Sequence, residues 1–190
     1  MGDGVVPLTY VLLSGGMDSA ACAAYYLDLG RPVRGLFVDF GQPASRSESI
    51  SAQAVAAHYG FPLDCARLRG DRVFGQGEIK GRNGYLLLTA LMLCPSHVAV
   101  IAMGIHSGTQ YYDCTPSFVD AINAVFDGYT DGQIRFEAPF LDWEKPLIWA
   151  YCRSRGVPVQ FTYSCEARSN RPCGECLSCI DRRALDAGSS

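Results

Sequence analysis

Apolar residues recur along the chain in short continuous runs separated by mixed polar and apolar stretches. Residues 8–13 form the first run and read as a strand; residues 14–19 are a glycine-containing turn, and residues 20–29 favour a helix that ends at Gly30. A second buried strand is predicted over 33–40, then a polar loop from Gly41, a helix over 47–59 closed by Gly60, and a third strand over 62–68. Residues 69–84, rich in glycine and charge, predict a loop. Residues 85–94 are apolar enough for a buried helix, with Asn83 near its N-cap and Pro95 as its stop. A fourth strand over 98–103, a helix over 116–126 opened by Pro116, a short strand over 134–137 and a helix over 145–155 complete the series. Strands of this length alternating with helices call for a parallel sheet covered on both faces, the doubly wound α/β class.

The pattern changes at Tyr163, beyond which cysteine, glycine, proline and charge dominate. The expected organisation is one principal domain over residues 1–160 with a small module over 161–190 packed on it. A length of 190 residues suits that arrangement and is too short for two full catalytic domains. Hydrophobic residues make up 48% of the chain and charged residues 18%, as in a compact globular protein. A net charge of −3 argues against broad capture of nucleic acid, so a small-molecule substrate is expected. Residues 1–7 lack the features of a signal peptide and no apolar run reaches membrane-spanning length, which predicts a cytoplasmic location and no membrane partner.

The first turn, Ser14-Gly15-Gly16-Met17-Asp18-Ser19 after Leu13, carries the strongest chemical signal. Glycine lets backbone N–H groups approach a phosphate closely between a strand and a helix N-terminus. Ser14 and Ser19 add hydroxyl donors, and Asp18 is placed to hold Mg²⁺ against phosphate oxygens that its bare charge would repel. The string lacks the ending of a Walker loop. It resembles the loop of ATP-pyrophosphatases, the PP-loop family, which split ATP to AMP and pyrophosphate.

Nine cysteines are many for a reducing compartment, and four of them crowd the tail: Cys165, Cys173, Cys176 and Cys179, spaced C-x7-C-x2-C-x2-C. Two-residue gaps let thiolates converge on one ion, and four thiolates satisfy tetrahedral Zn²⁺ in a closed, structural site. An iron–sulfur cluster is the rival ligand. Cys22, Cys65, Cys94 and Cys152 sit in apolar stretches and are expected to be small buried hydrophobes.

Loop and knuckle together resemble the 7-cyano-7-deazaguanine synthase family, QueC. Further matches follow in family order: Asp39-Phe40-Gly41-Gln42, Gly81-Arg82-Asn83, Tyr112-Asp113-Cys114, Pro139-Phe140-Leu141 before Lys145, and Thr162-Tyr163-Ser164-Cys165 before Cys173-Gly174-Glu175-Cys176. The resemblance implies a Rossmann-like PP-loop domain, a zinc site, and ATP-dependent adenylation of the carboxylate of 7-carboxy-7-deazaguanine. It further implies that ammonia attacks the acyl-adenylate to give an amide and that a second ATP converts the amide to a nitrile. A homodimer is compatible with it.

On this reading ATP and Mg²⁺ are bound by Leu13, Ser14, Gly15, Gly16, Met17, Asp18, Ser19, Asp39, Gln42, Arg82, Asn83 and Lys145, and Ser14, Asp18, Ser19, Asp113 and Lys145 serve the chemistry. Lys145 is favoured over Lys80, Arg82, Arg182 and Arg183 as the cation, because it occupies the family lysine position at a helix start, where it opposes the helix dipole. Asp113 is assigned to Mg²⁺ or the substrate amine. His106 is expected to be an ordinary loop histidine, although it lies near the pocket in sequence order.

Departures lie on the substrate side. Gln42 is followed by Pro43 and Ala44 where the family continues with arginine and histidine, and Tyr111-Tyr112-Asp113-Cys114-Thr115 stands for the usual Tyr-Pro-Asp-Cys-Arg. Losing an arginine beside an anionic substrate is not a neutral change. These departures suggest a specialised enzyme that couples the activated acid to a different amine, one on a partner protein included, as in bacterial antiviral defence. A PP-loop tRNA thiolase and a non-catalytic zinc-bearing interaction module are the rival readings.

Overall fold

The computed structural model describes residues 6–68, 70–71, 74–75, 77–108, 110–167 and 171–188. The N-terminal residues 1–5 and Arg69, which the sequence reading covered, lie outside the described residues.

Five parallel strands form the sheet: β1 (Leu8–Leu12), β2 (Val33–Asp39), β3 (Leu63–Arg67), β4 (Val98–Ala102) and β5 (Arg135–Glu137), in the order β3-β2-β1-β4-β5. Every residue of β1 is buried, as a central strand covered on both faces requires. Helices α1 (Met17–Asp28), α2 (Ser45–Tyr59) and α5 (Lys145–Ser154) pack on one face, through Ala20, Ala24, Val55, Ile148 and Trp149 around Val11 and Phe37. Helices α3 (Arg82–Leu93) and α4 (Pro116–Thr130) cover the other, through Leu87, Phe118, Ile122 and Phe126 around Tyr10, Leu36 and Ile101. This is the doubly wound arrangement expected from the alternating runs.

Strand order reverses between β1 and β4, so the loops after these two strands diverge and leave a crevice at their carboxyl ends. Both loops carry a glycine that the crevice demands. Gly15 has φ 81°, and a Cβ there would collide with the carbonyl oxygen of Glu48. A Cβ on Gly104, just beyond β4, would collide with the carbonyl of Asp18.

Several boundaries differ from expectation. Helix α1 starts at Met17, so Asp18 and Ser19 belong to its first turn. Helix α3 starts at Arg82 with Gly81 as its left-handed N-cap, which puts Asn83 inside the helix and buries it, in place of a capping role. Cys65 is exposed, because β3 is an edge strand. A last helix, α6 (Leu177–Ala187), was not predicted. Its Arg182 lies over the Trp149 ring, 5.2 Å from the centroid, and donates to Thr162 Oγ1 and the Val159 carbonyl at 3.2 and 3.3 Å. Among the described residues no helix is long and apolar enough to cross a membrane.

Candidate active site

The loop after β1 is organised by its own hydroxyls. Ser14 Oγ donates to Ser19 Oγ at 3.2 Å and accepts from the Gly16 amide at 3.3 Å, while Ser19 Oγ donates to the Gly16 carbonyl at 2.9 Å. Gly16, the N-cap of α1, has no side chain to bond the first-turn amides, which is where a helix N-terminus receives an anion. From the C-terminal segment, the Tyr163 amide donates to the Gly15 carbonyl at 2.9 Å and pins the loop from outside.

Asp18 is the electrostatic centre. Lys145, the first residue of α5, places Nζ 2.5 Å from Asp18 Oδ2, and the pair bridges 127 residues of sequence. Its partner oxygen, Asp18 Oδ1, is buried and has no hydrogen-bond partner among the described residues. A carboxylate oxygen in that condition is costly unless a cation or donor meets it.

His106 approaches the same group, its Nε2 3.9 Å from Asp18 Oδ2, with only 12% of its side chain exposed. Burial lowers its pKa below the usual imidazole value; Lys145 adds to the shift and Asp18 opposes it. The sequence reading treated His106 as an ordinary loop residue. Its position depends on the β4 extension running parallel to Phe140, a pairing no local pattern reveals.

The other predicted residues gather at the ends of β2 and α3. Gln42 accepts from the Phe40 amide at 2.9 Å and donates to the Val38 carbonyl at 3.2 Å and Glu48 Oε2 at 2.8 Å. Glu48, which sequence reasoning missed, has its carboxyl pKa raised by burial, against the Gln42 hydrogen bond and the Arg82 charge. Asp39 accepts from the Gly41 amide at 3.1 Å. Arg82 donates to Asn83 Oδ1 at 3.2 Å, and Asn83 Nδ2 donates to the Asp113 carbonyl at 3.2 Å, so the two separated motifs meet. A cleft of about 760 Å³ opens at the ends of β2 and β3, lined by Asp39, Gln42, Pro43, Ala44 and Arg67 among others. Of the other candidate cations, Arg182 donates to the Val159 carbonyl and Arg183 to that of Gly174, and Lys80 is exposed.

Sulfur atoms of Cys165, Cys173, Cys176 and Cys179 all lie within 4.8 Å of one another. The Cys173 to Cys179 separation is 4.0 Å, near the ~3.8 Å edge of a tetrahedron built on zinc–sulfur bonds. Such closeness suits a single tetrahedral ion, whereas a four-iron cluster would hold its thiolates wider apart. Burial is the largest single influence on the Cys165 thiol and raises it, but the amides of Cys173 and Ala167 together with the side chains of Tyr163 and Cys173 bring it down to about 6. The set is one that could bind zinc.

The model for the queuosine biosynthesis protein QueC matches residues 9–76 and 71–186. The chain belongs to the QueC family. A relative described as 7-cyano-7-deazaguanine synthase from Synechococcus sp. (strain RCC307) is 30% identical over 93% of this chain and 92% of its own length. Another of the same description, from Methanosphaerula palustris, is 31% identical over 90% of each chain. Among solved structures, NMN synthetase from Francisella tularensis superposes with a TM-score of 0.53 at 16% identity, covering 98% of this chain and 78% of that one. A 4-thiouridine synthetase in complex with RNA and ATP gives 0.54 at 14% identity, over 97% of this chain and 50% of that one. At such identities these two show the shared fold alone. The QueC family match makes this chain an ATP-dependent enzyme of the QueC type.

Proposed function

We propose that this enzyme adenylates the carboxylate of 7-carboxy-7-deazaguanine, or a close analogue, and passes the acyl group to a nitrogen nucleophile. The observation that carries the reading is the meeting of Lys145 with Asp18 at the uncapped N-terminus of α1, directly behind the glycine loop.

The pyrophosphate portion of ATP suits the loop amides and the hydroxyls of Ser14 and Ser19. A substrate carboxylate oxygen attacks the α-phosphorus; the bond to pyrophosphate breaks and its electron pair leaves with pyrophosphate. The nitrogen nucleophile then attacks the acyl carbon, and AMP departs. Lys145 supplies positive charge where the leaving oxygens accumulate it. The buried, partnerless Oδ1 of Asp18 fits a role in holding Mg²⁺, which would neutralise phosphate charge when bound. Asp39, Gln42, Arg82, Asn83 and Asp113 are assigned to the nucleotide and the deazaguanine on the open side of the loop. Residues 161–190 act in this reading as a zinc-folded module on residues 1–160.

A second acceptor is supported by one feature. Pro43 and Ala44 line the cleft of about 760 Å³ where the family carries arginine and histidine, leaving room for an amine larger than ammonia, such as one on a partner protein.

Incubation with ATP, 7-carboxy-7-deazaguanine and ammonium, followed by mass spectrometry, tests both readings. AMP with amide and nitrile products is expected for the first. Amide formed only with an added peptide amine favours the second, and absence of both AMP and acid-dependent ATP–pyrophosphate exchange rejects adenylation.

A further inference from the structure

His106 sits in a turn that fixes which of its nitrogens carries the proton. The Gly108 amide donates to Nδ1 at 3.0 Å, so the neutral ring bears its hydrogen on Nε2. A Cβ on Gly108 would lie 2.9 Å from the imidazole, so a larger residue there would push the ring aside. Ser107 anchors the turn twice to the Trp143 carbonyl, through its amide at 3.1 Å and its hydroxyl at 2.7 Å. Trp143 lies two residues before Lys145. The histidine and the lysine are therefore held on segments bonded to each other.

Nε2 faces Asp18 Oδ2, yet 3.9 Å exceeds a hydrogen bond, and no other acceptor meets it among the described residues. With the side chain 12% exposed, this N–H is a donor held in place by its turn and, among the described residues, free of a protein acceptor. It points into the space that Lys145 and the partnerless Asp18 oxygen also border.

We propose that His106 is a catalytic residue, its Nε2–H donating a hydrogen bond to a phosphate oxygen of the nucleotide held by the loop from Ser14 to Ser19. The proposal rests on the adenylation reading above. As the carboxylate forms its bond to the α-phosphorus and pyrophosphate leaves with the electron pair, the imidazole keeps its proton and stabilises charge growing on oxygen. A donor positioned before the reaction pays no reorganisation as charge develops, and removing one such donor slows turnover by about 10²-fold.

The test is acid-dependent ATP–pyrophosphate exchange, with ATP affinity measured separately by calorimetry. His106→Phe keeps a flat ring without the donor and is expected to lower kcat about 10²-fold while changing the ATP Kd less than about threefold. His106→Gln restores an N–H near Nε2 and is expected to recover at least about tenfold of that loss. Exchange within about threefold of wild type in His106→Phe overturns the proposal, as does a Gln variant no better than Phe. Should His106→Phe fold poorly, Gly108→Ala provides the reading: the ring remains but is pushed aside, and an unaltered exchange rate rejects the assignment. Absence of exchange in the wild-type enzyme would instead overturn adenylation itself, so the two failures are separable.

Discussion

The Tyr163 amide donates to the Gly15 carbonyl at 2.9 Å, and two residues later Cys165 enters the four-cysteine cluster. The loop from Ser14 to Ser19 is thus tied through three residues of backbone to the four-thiol set, and an ion held there would fix the segment that carries it. Cys176→Ser is expected to lose the bound zinc, lower the thermal midpoint and weaken ATP binding by roughly tenfold, about 1.4 kcal/mol. Elemental analysis and calorimetry check this. Unchanged ATP affinity in the metal-free variant would show that the loop holds its shape alone.

Lys145 and Asp18 are bonded at 2.5 Å and are proposed to serve one phosphate site, so their effects are expected not to add. Lys145→Met and Asp18→Asn are each expected to reduce kcat/KM for exchange by at least about 10²-fold, with the double variant little worse than either. Multiplicative losses would mean that the two act independently.

Gly104 leaves no room for a side chain against the Asp18 carbonyl. Gly104→Ala is expected to destabilise the protein by about 1–3 kcal/mol, as overpacking does, and to shift the first turn of α1 enough to depress exchange. Urea unfolding and the exchange rate measure the two effects.

Asp64 joins three strands, accepting from Arg34 at 2.6 and 2.7 Å and from Tyr10 at 2.9 Å. The Arg34 hydrogen bonds hold its carboxyl below the usual carboxylate value, against a smaller opposing effect of burial. The stability this contributes is complete above the unfolded-state pKa near 3.8 and is lost as pH falls through the lower folded-state value. Asp64→Asn is therefore expected to be less stable than wild type at neutral pH, by about 1–3 kcal/mol, with the gap closing in acid. A gap independent of pH would place the cost in packing.

The strands were legible because a central parallel strand is covered on both faces, and 8–12, 36–38 and 98–102 are, Thr9 apart, continuous apolar runs. Helix α6 was overlooked because it is short and lies in the stretch where cysteine, glycine and charge dominate; it buries Cys179, and its Arg182 lies over the Trp149 ring. Asn83 read as a cap because asparagine before an apolar run favours one, yet Gly81 takes the left-handed position and Asn83 turns inward to the Asp113 carbonyl.

The linear string from Ser14 to Ser19 and the spacing of Cys165, Cys173, Cys176 and Cys179 marked the glycine turn before α1 and the four-thiol set without help from the fold, since each is a local constellation whose expected chemistry follows from adjacency. Only the tertiary structure decided what converges on the loop. Strand order brings Gly104 and His106 from β4, Lys145 from α5 and Tyr163 from the tail to the carboxyl end of β1, and contacts across such separations leave no periodicity in the chain.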